Sequence, residues 1–245
     1  RDWSSDVCSS DLDDLGYGDL GCYGQAKIRT PNMDRIALEG MLFTQAYAGN
    51  TVCAPSRCAL MTGKHSGHGR IRSNIQVPLE PADITIAEVL RVKQYFNCAT
   101  GKWALGWEDT TGHPLQQGFH EWFGFLEQRD AHNYYPPRLW RNADEWPLQG
   151  NAGGARRDYA PDWFVKVATN FVRTSGDLPF FLYYAPTMPH ANNARGTNGM
   201  EVPTLGPYRK ENWPAPEKAK ASMISRLDDD IGLLMTQIQR EGLDN

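Results

Sequence analysis

The sequence predicts an α/β protein: a mostly parallel central sheet sandwiched between helices. Two observations carry this. Short apolar runs such as Phe180-Phe181-Leu182-Tyr183-Tyr184-Ala185 alternate with segments of helical periodicity. These runs are apolar on both faces, as strands covered on two sides require. The chain has 245 residues, 40% of them apolar, enough to bury a sizeable core. Its net charge of −4 argues against a nucleic-acid binder held by phosphate contacts. No apolar run approaches the roughly 20 residues of a membrane span.

In chain order, residues 1–12 carry neither period and no apolar run, and they resemble one reading frame of a sequencing-library adaptor. A loose chain is expected there, and a sheet incomplete at both ends. Thr30 as N-cap and Pro31 at N1 open a helix that stops at Gly40. Leu42 to Ala48 reads as a short strand. A second helix starts near Cys53-Ala54-Pro55-Ser56 and ends at Gly63, and a third spans Thr85 to Val92. Tyr95 to Thr100 reads as a strand. Residues 106–160, rich in Gly, Pro, Trp and Tyr, show little periodicity and read as a long functional loop. Pro161 to Thr174 is a helix, followed by the strand at 180–185. Residues 216–242 repeat apolar side chains at three- and four-residue steps, from Met223 to Ile238.

Four segments carry chemistry: Asp13-Asp14-Leu15-Gly16-Tyr17-Gly18-Asp19, Cys53-Ala54-Pro55-Ser56-Arg57, Gly101-Lys102-Trp103 and Pro189-His190. Adjacent carboxylates supply hard oxygen ligands for Ca²⁺ or Mg²⁺. Pro55 suits the first turn of a helix, so Cys53 stands at a helix N-terminus, where the dipole favours an anion. Arg57 lies one turn further on. Lys102 and His190 follow strand candidates, at the sheet edge where ligands of open α/β folds gather. His132, Asn133 and Tyr134 sit in the irregular region among groups that suit sugar or aryl binding, and suit a packed loop equally.

In order and spacing, these segments resemble the type I sulfatases, formylglycine-dependent members of the alkaline-phosphatase superfamily, and among them the bacterial arylsulfatase-like proteins. The likeness runs from Asp13 to Asn245, the N-terminal part of a catalytic domain. It implies hydrolysis of a sulfate monoester, on a small molecule or a carbohydrate. It further implies that a maturation enzyme converts Cys53 to Cα-formylglycine, whose hydrate attacks sulfur. Asp13, Asp14 and residue 53 would bind Ca²⁺, with Mg²⁺ as the alternative. Arg57 would hold the diol or a sulfate oxygen and Lys102 a sulfate oxygen, and His190 would protonate the leaving alcohol or contact the sulfate. Many relatives carry His two residues after the lysine; here that position is Ala104, and His113 is the nearby substitute. The resemblance also implies export to the periplasm or the medium. A phosphonate or phosphodiester hydrolase of the same superfamily, or a catalytically incomplete anion-binding fragment, are the competing expectations.

Overall fold

The computed structural model describes residues 7–176 and 178–243. Its sheet has six strands: β1 (Val7–Ser10), β2 (Phe96–Lys102), β3 (Glu121–Phe125), β4 (Arg138–Arg141), β5 (Asp144–Pro147) and β6 (Phe180–Ala185), in the order β1-β6-β2-β3-β4-β5. The first four in that order run parallel, and β4 and β5 are antiparallel additions at one edge. Among the described residues, five α-helices accompany it: α1 (Pro31–Glu39), α2 (Cys53–Thr62), α3 (Ile86–Val92), α4 (Ala160–Thr174) and α5 (Ala215–Arg240).

Strand alternation sorts the apolar runs into two cores. Phe180, Leu182 and Tyr184 of β6 face one side with Cys98 of β2, against Phe164 and Phe171 of α4 and Ile224 and Leu227 of α5. Phe181 and Tyr183 face the other side with Ala99 of β2, against Ala54, Cys58 and Met61 of α2. Both faces are thus covered, as the continuous apolar runs required.

Three sequence expectations change. Val7–Ser10 is not loose: it pairs in parallel with Phe181–Tyr184. Backbone pairing needs no apolar side chain, and an edge strand tolerates polar residues such as the exposed Cys8 and Ser10. Residues 42–48 form no strand, and Leu42, Phe43 and Tyr47 are exposed. The stretch 106–160 is not one loop, since it contains β3, β4 and β5. A two-residue turn joins β4 to β5, with Asn142 at φ +56°. It lacks the Asn-Gly or Asp-Gly pair that would have announced a hairpin.

Helix ends show which local signals act alone. Thr85 is the N-cap of α3, and its backbone N–H donates to Glu88 Oε2 at 2.8 Å. Thr30 occupies the N-cap of α1 but makes no side-chain cap bond. Asp228 of α5 accepts instead from the backbone N–H groups of Asn32 and Met33, at 3.1 and 2.8 Å. The end of α1 is therefore capped across almost the whole chain length.

Candidate active site

The C-terminal ends of the parallel strands β1, β2 and β6 meet at one edge of the sheet, and the chemistry-bearing residues collect there. Lys102 is the last residue of β2. Gly101 before it has φ +114°, and a Cβ at that position would lie 1.9 Å from Ala185 O. Only glycine lets β2 approach β6 this closely next to the lysine. His190 follows β6, and Tyr134 positions its loop: the Tyr134 hydroxyl donates to Thr187 O at 2.9 Å and also reaches His190 O. Asp13 follows β1 and bridges to Pro189.

Cys53 is the first residue of α2. Asn74 helps cap that end, with its Oδ1 accepting from the Ala54 N–H at 3.0 Å. The Cys53 thiol lies 3.4 Å from Asp13 Oδ1. Lys102 Nζ stands 2.6 Å from Asp13 Oδ2, and both side chains are buried. Arg57, 3% exposed, donates from Nη1 to Lys102 O at 2.7 Å and pairs with Asp11 at 3.1 Å. Its Nη2 is 3.8 Å from Asp13 Oδ1. The exposed Asp14, at φ +64°, turns its Oδ2 to 3.4 Å from His190 Nε2.

The second imidazole is His132. Its ring stacks on His190, with centroids 4.0 Å apart and planes at 12°. Its Nε2 faces Lys102 Nζ at 3.4 Å and the Gln128 amide at 3.2 Å. A lysine ammonium has only protons to offer, so that nitrogen accepts.

The charges respond to this crowding. Burial pushes the Asp13 carboxyl up, but Lys102 and Arg57 together hold it below its usual value. Burial and the charge of Lys102 drive His132 down to about 4, so its ring is neutral near pH 7. Burial lowers His190, but its hydrogen bond with Cys53 and the Asp13 charge raise it overall. Burial likewise raises the Cys53 thiol, yet His190 and Lys102 bring it below its ordinary value of 9.0. Burial pushes Cys98 well above that value and raises Cys22 as well. Near pH 7, iodoacetamide should therefore alkylate Cys53 at least about tenfold faster than Cys98 in the native chain. Peptide mass spectrometry checks this, and equal rates would contradict the arrangement.

The structure thus brings together Cys53, Arg57, Lys102, His190, Asp13 and, less closely, Asp14. Of the residues expected to touch substrate, it brings only His132 into this cluster. Tyr134 is buried, and it holds the His190 loop instead of facing a ligand. Asn133 Oδ1 accepts from the Tyr135 N–H, a local turn bond. His113 lies in a different cavity, beside Glu108 to Thr111, with its Nδ1 accepting from the Leu115 N–H. Its proposed substitution for the histidine absent at Ala104 is not supported by this placement; the imidazole hydrogen-bonded to Cys53 is His190, with the His132 ring stacked on it. Sequence reasoning missed Asp11, Asn74, Gln128 and Tyr183. Tyr183 hid in an apolar run, and nothing local marks its hydroxyl as a partner of Arg57 at 3.2 Å.

Comparison with known proteins gives a consistent result. A family model described as Sulfatase matches residues 12–245. N-acetylgalactosamine-6-sulfatase of Canis lupus familiaris is 33% identical, over 93% of this chain and 45% of its own length. Arylsulfatase A of Homo sapiens is 32% identical, over 94% of this chain and 48% of its own. The crystal structure of Ps i-CgsB superposes with a TM-score of 0.81 at 28% identity, covering 97% of this chain and 55% of that one. The phosphonate monoester hydrolase of Agrobacterium radiobacter shares the fold, with a TM-score of 0.64 at 18% identity. The chain spans about half the length of the curated relatives it matches.

Proposed function

Since the chain belongs to the sulfatase family, we propose that the protein it forms part of hydrolyses a sulfate monoester to an alcohol and inorganic sulfate. The convergence of Cys53, Arg57, Lys102 and His190 beside Asp13 is the observation that carries this reading. We assign residues 13–245 to the N-terminal part of the catalytic domain, in keeping with a family match that begins at residue 12.

The residues present suit the groups that the family implies. Position 53 stands at a helix N-terminus with Arg57 and Lys102 nearby, surroundings that favour an anionic oxygen. Asp13 and Asp14 offer hard oxygens for Ca²⁺, with Mg²⁺ as the alternative. A hydrated formylglycine at position 53 would supply the nucleophilic oxygen, and the cation would polarise the sulfate. The chain's own groups do the rest. The buried Lys102 ammonium and Arg57 guanidinium hold sulfate oxygens and meet the charge that builds there. In His190, Nδ1 lies 2.7 Å from Ala191 O, which leaves Nε2 as the atom facing the site. His190's raised pKa favours a proton on Nε2, ready for the leaving alcohol oxygen.

The substrate is a sulfated small molecule or carbohydrate. A formylglycine-generating enzyme is the maturation partner, and the periplasm or the medium is the compartment, as for exported relatives. Among the described residues, no helix is long and apolar enough to cross a membrane.

The test uses the parent protein co-expressed with a maturation system. Aryl sulfate turnover should fall at least about 10³-fold in Cys53→Ala. The wild-type peptide containing residue 53 should carry the mass of an aldehyde. Undiminished turnover in Cys53→Ala would overturn the reading. Phosphonate monoester turnover exceeding sulfate turnover would move the protein to the other branch of the superfamily.

A further inference from the structure

We propose that the unconverted chain, with Cys53 still a thiol, has a binding site for a borderline-soft divalent cation of the zinc type, formed by Asp13, Cys53, His132 and His190. This goes beyond sulfate hydrolysis and does not depend on it. The four side chains offer one carboxylate oxygen, one sulfur and two imidazole nitrogens, all within 4.8 Å of one another. Tetrahedral zinc places its donors about 3.3–3.8 Å apart, given bonds of about 2.0–2.3 Å. The donor spacing is therefore within about 1 Å of that shell, and binding would turn the stacked, nearly parallel rings of His132 and His190 so that both nitrogens aim at one point.

The donor set separates this site from one for Ca²⁺. Calcium takes oxygens, whereas thiolate with imidazole selects zinc and its neighbours. Both rings also present the right nitrogen. His132 Nε2 is the unprotonated nitrogen, accepting from Lys102 and Gln128, and an ion would take the place of those two donors. His190 Nδ1 meets Ala191 O, an outer-shell bond of the kind that fixes a metal-binding tautomer and leaves Nε2 for the ion. Lys102 Nζ, 2.6 Å from Asp13 Oδ2, now supplies a single positive charge at that carboxylate. A doubly charged ion would displace it there. Binding forms a sulfur–metal bond and releases the Cys53 thiol proton and any proton on His190 Nε2 to solvent.

The test takes the purified chain without any maturation system and titrates it with Co²⁺ as a spectroscopic probe. One equivalent should give thiolate-to-metal charge-transfer absorption and tetrahedral d–d bands, and Zn²⁺ should bleach both. Cys53→Ser should abolish the charge-transfer band, and His132→Gln should weaken binding at least tenfold. Absence of the band, or its persistence in Cys53→Ser, would overturn the proposal. A second measurement needs no variant: stoichiometric Zn²⁺ should slow alkylation of Cys53 at least tenfold, read by peptide mass. An unchanged alkylation rate would overturn it equally. Neither readout involves sulfate turnover, so failure here and failure of the hydrolase reading remain distinguishable.

Discussion

Lys102→Ala should destabilise the chain at pH 7 by about 3–5 kcal/mol, the usual cost of removing one member of a buried ion pair. Lys102 is fully buried and Asp13 is 5% exposed, so water cannot replace the lost ammonium. Arg57 at 3.8 Å would remain the nearest cation to Asp13, and it is already committed to Lys102 O and Asp11. The sign with pH follows from the carboxyl. Burial raises Asp13, and Lys102 and Arg57 more than offset it, so its folded pKa lies below the unfolded value of 3.8. Its stabilisation is present above that value and is lost as pH falls through the folded pKa. Without Lys102 the folded pKa rises. The penalty should then be full near neutrality and shrink as acid protonates Asp13. Urea unfolding at pH 7 and pH 4 measures this. A wild-type midpoint at pH 7 would show that the pair is solvated.

Asp230→Asn should do the opposite. Asp230 sits on α5, 5% exposed, and its Oδ2 has no hydrogen-bond partner among the described residues. Burial raises its pKa from 3.8 to about 7; Arg226 opposes the rise, and Asp162 and Asp229 add to it. A carboxyl that binds its proton more tightly when folded costs nothing below the unfolded pKa. Its penalty grows as pH rises from about 4 to about 7. At pH 8 that penalty is on the order of 2–4 kcal/mol. Asparagine keeps the shape without the charge. The variant should therefore gain about that much at pH 8 and almost nothing at pH 4, read from urea midpoints at the two values. An equal change at both would show that burial of the charge is not the cause.

The fold was legible where a segment's own pattern sufficed. α4 and α5 carry long apolar stripes, and β6 is an unbroken apolar run that only a doubly covered sheet accommodates. It was not legible where pairing partners decide. β3, β4 and β5 are four or five residues each, set among prolines and glycines, and become strands only because β2 offers an edge. Residues 42–48 have the composition of a strand but pair with no strand among the described residues, so they stay irregular. The site divides the same way. Cys53, Arg57, Lys102 and His190 stand in short motifs. His132 sits where the sequence offers a substrate contact and a packed loop equally, and Asp11 lies in a stretch that carried no signal at all.

The sequence by itself determined the α/β class, the family resemblance and the positions proposed as nucleophile, cation and proton donor. These live in local spacing: a proline after a cysteine, a glycine before a lysine, a histidine after an apolar strand. Only the tertiary structure decided that His132, and neither His113 nor Tyr134, joins the centre, and that Lys102 neutralises Asp13. Tertiary structure likewise decided that Asp228 caps a helix nearly 200 residues away. The physical reason is range. Helix caps, strand alternation and glycine dihedrals act between neighbours in sequence, whereas charge and ring contacts act across a few ångströms of space, and only the folded sheet brings the ends of β1, β2 and β6 that close.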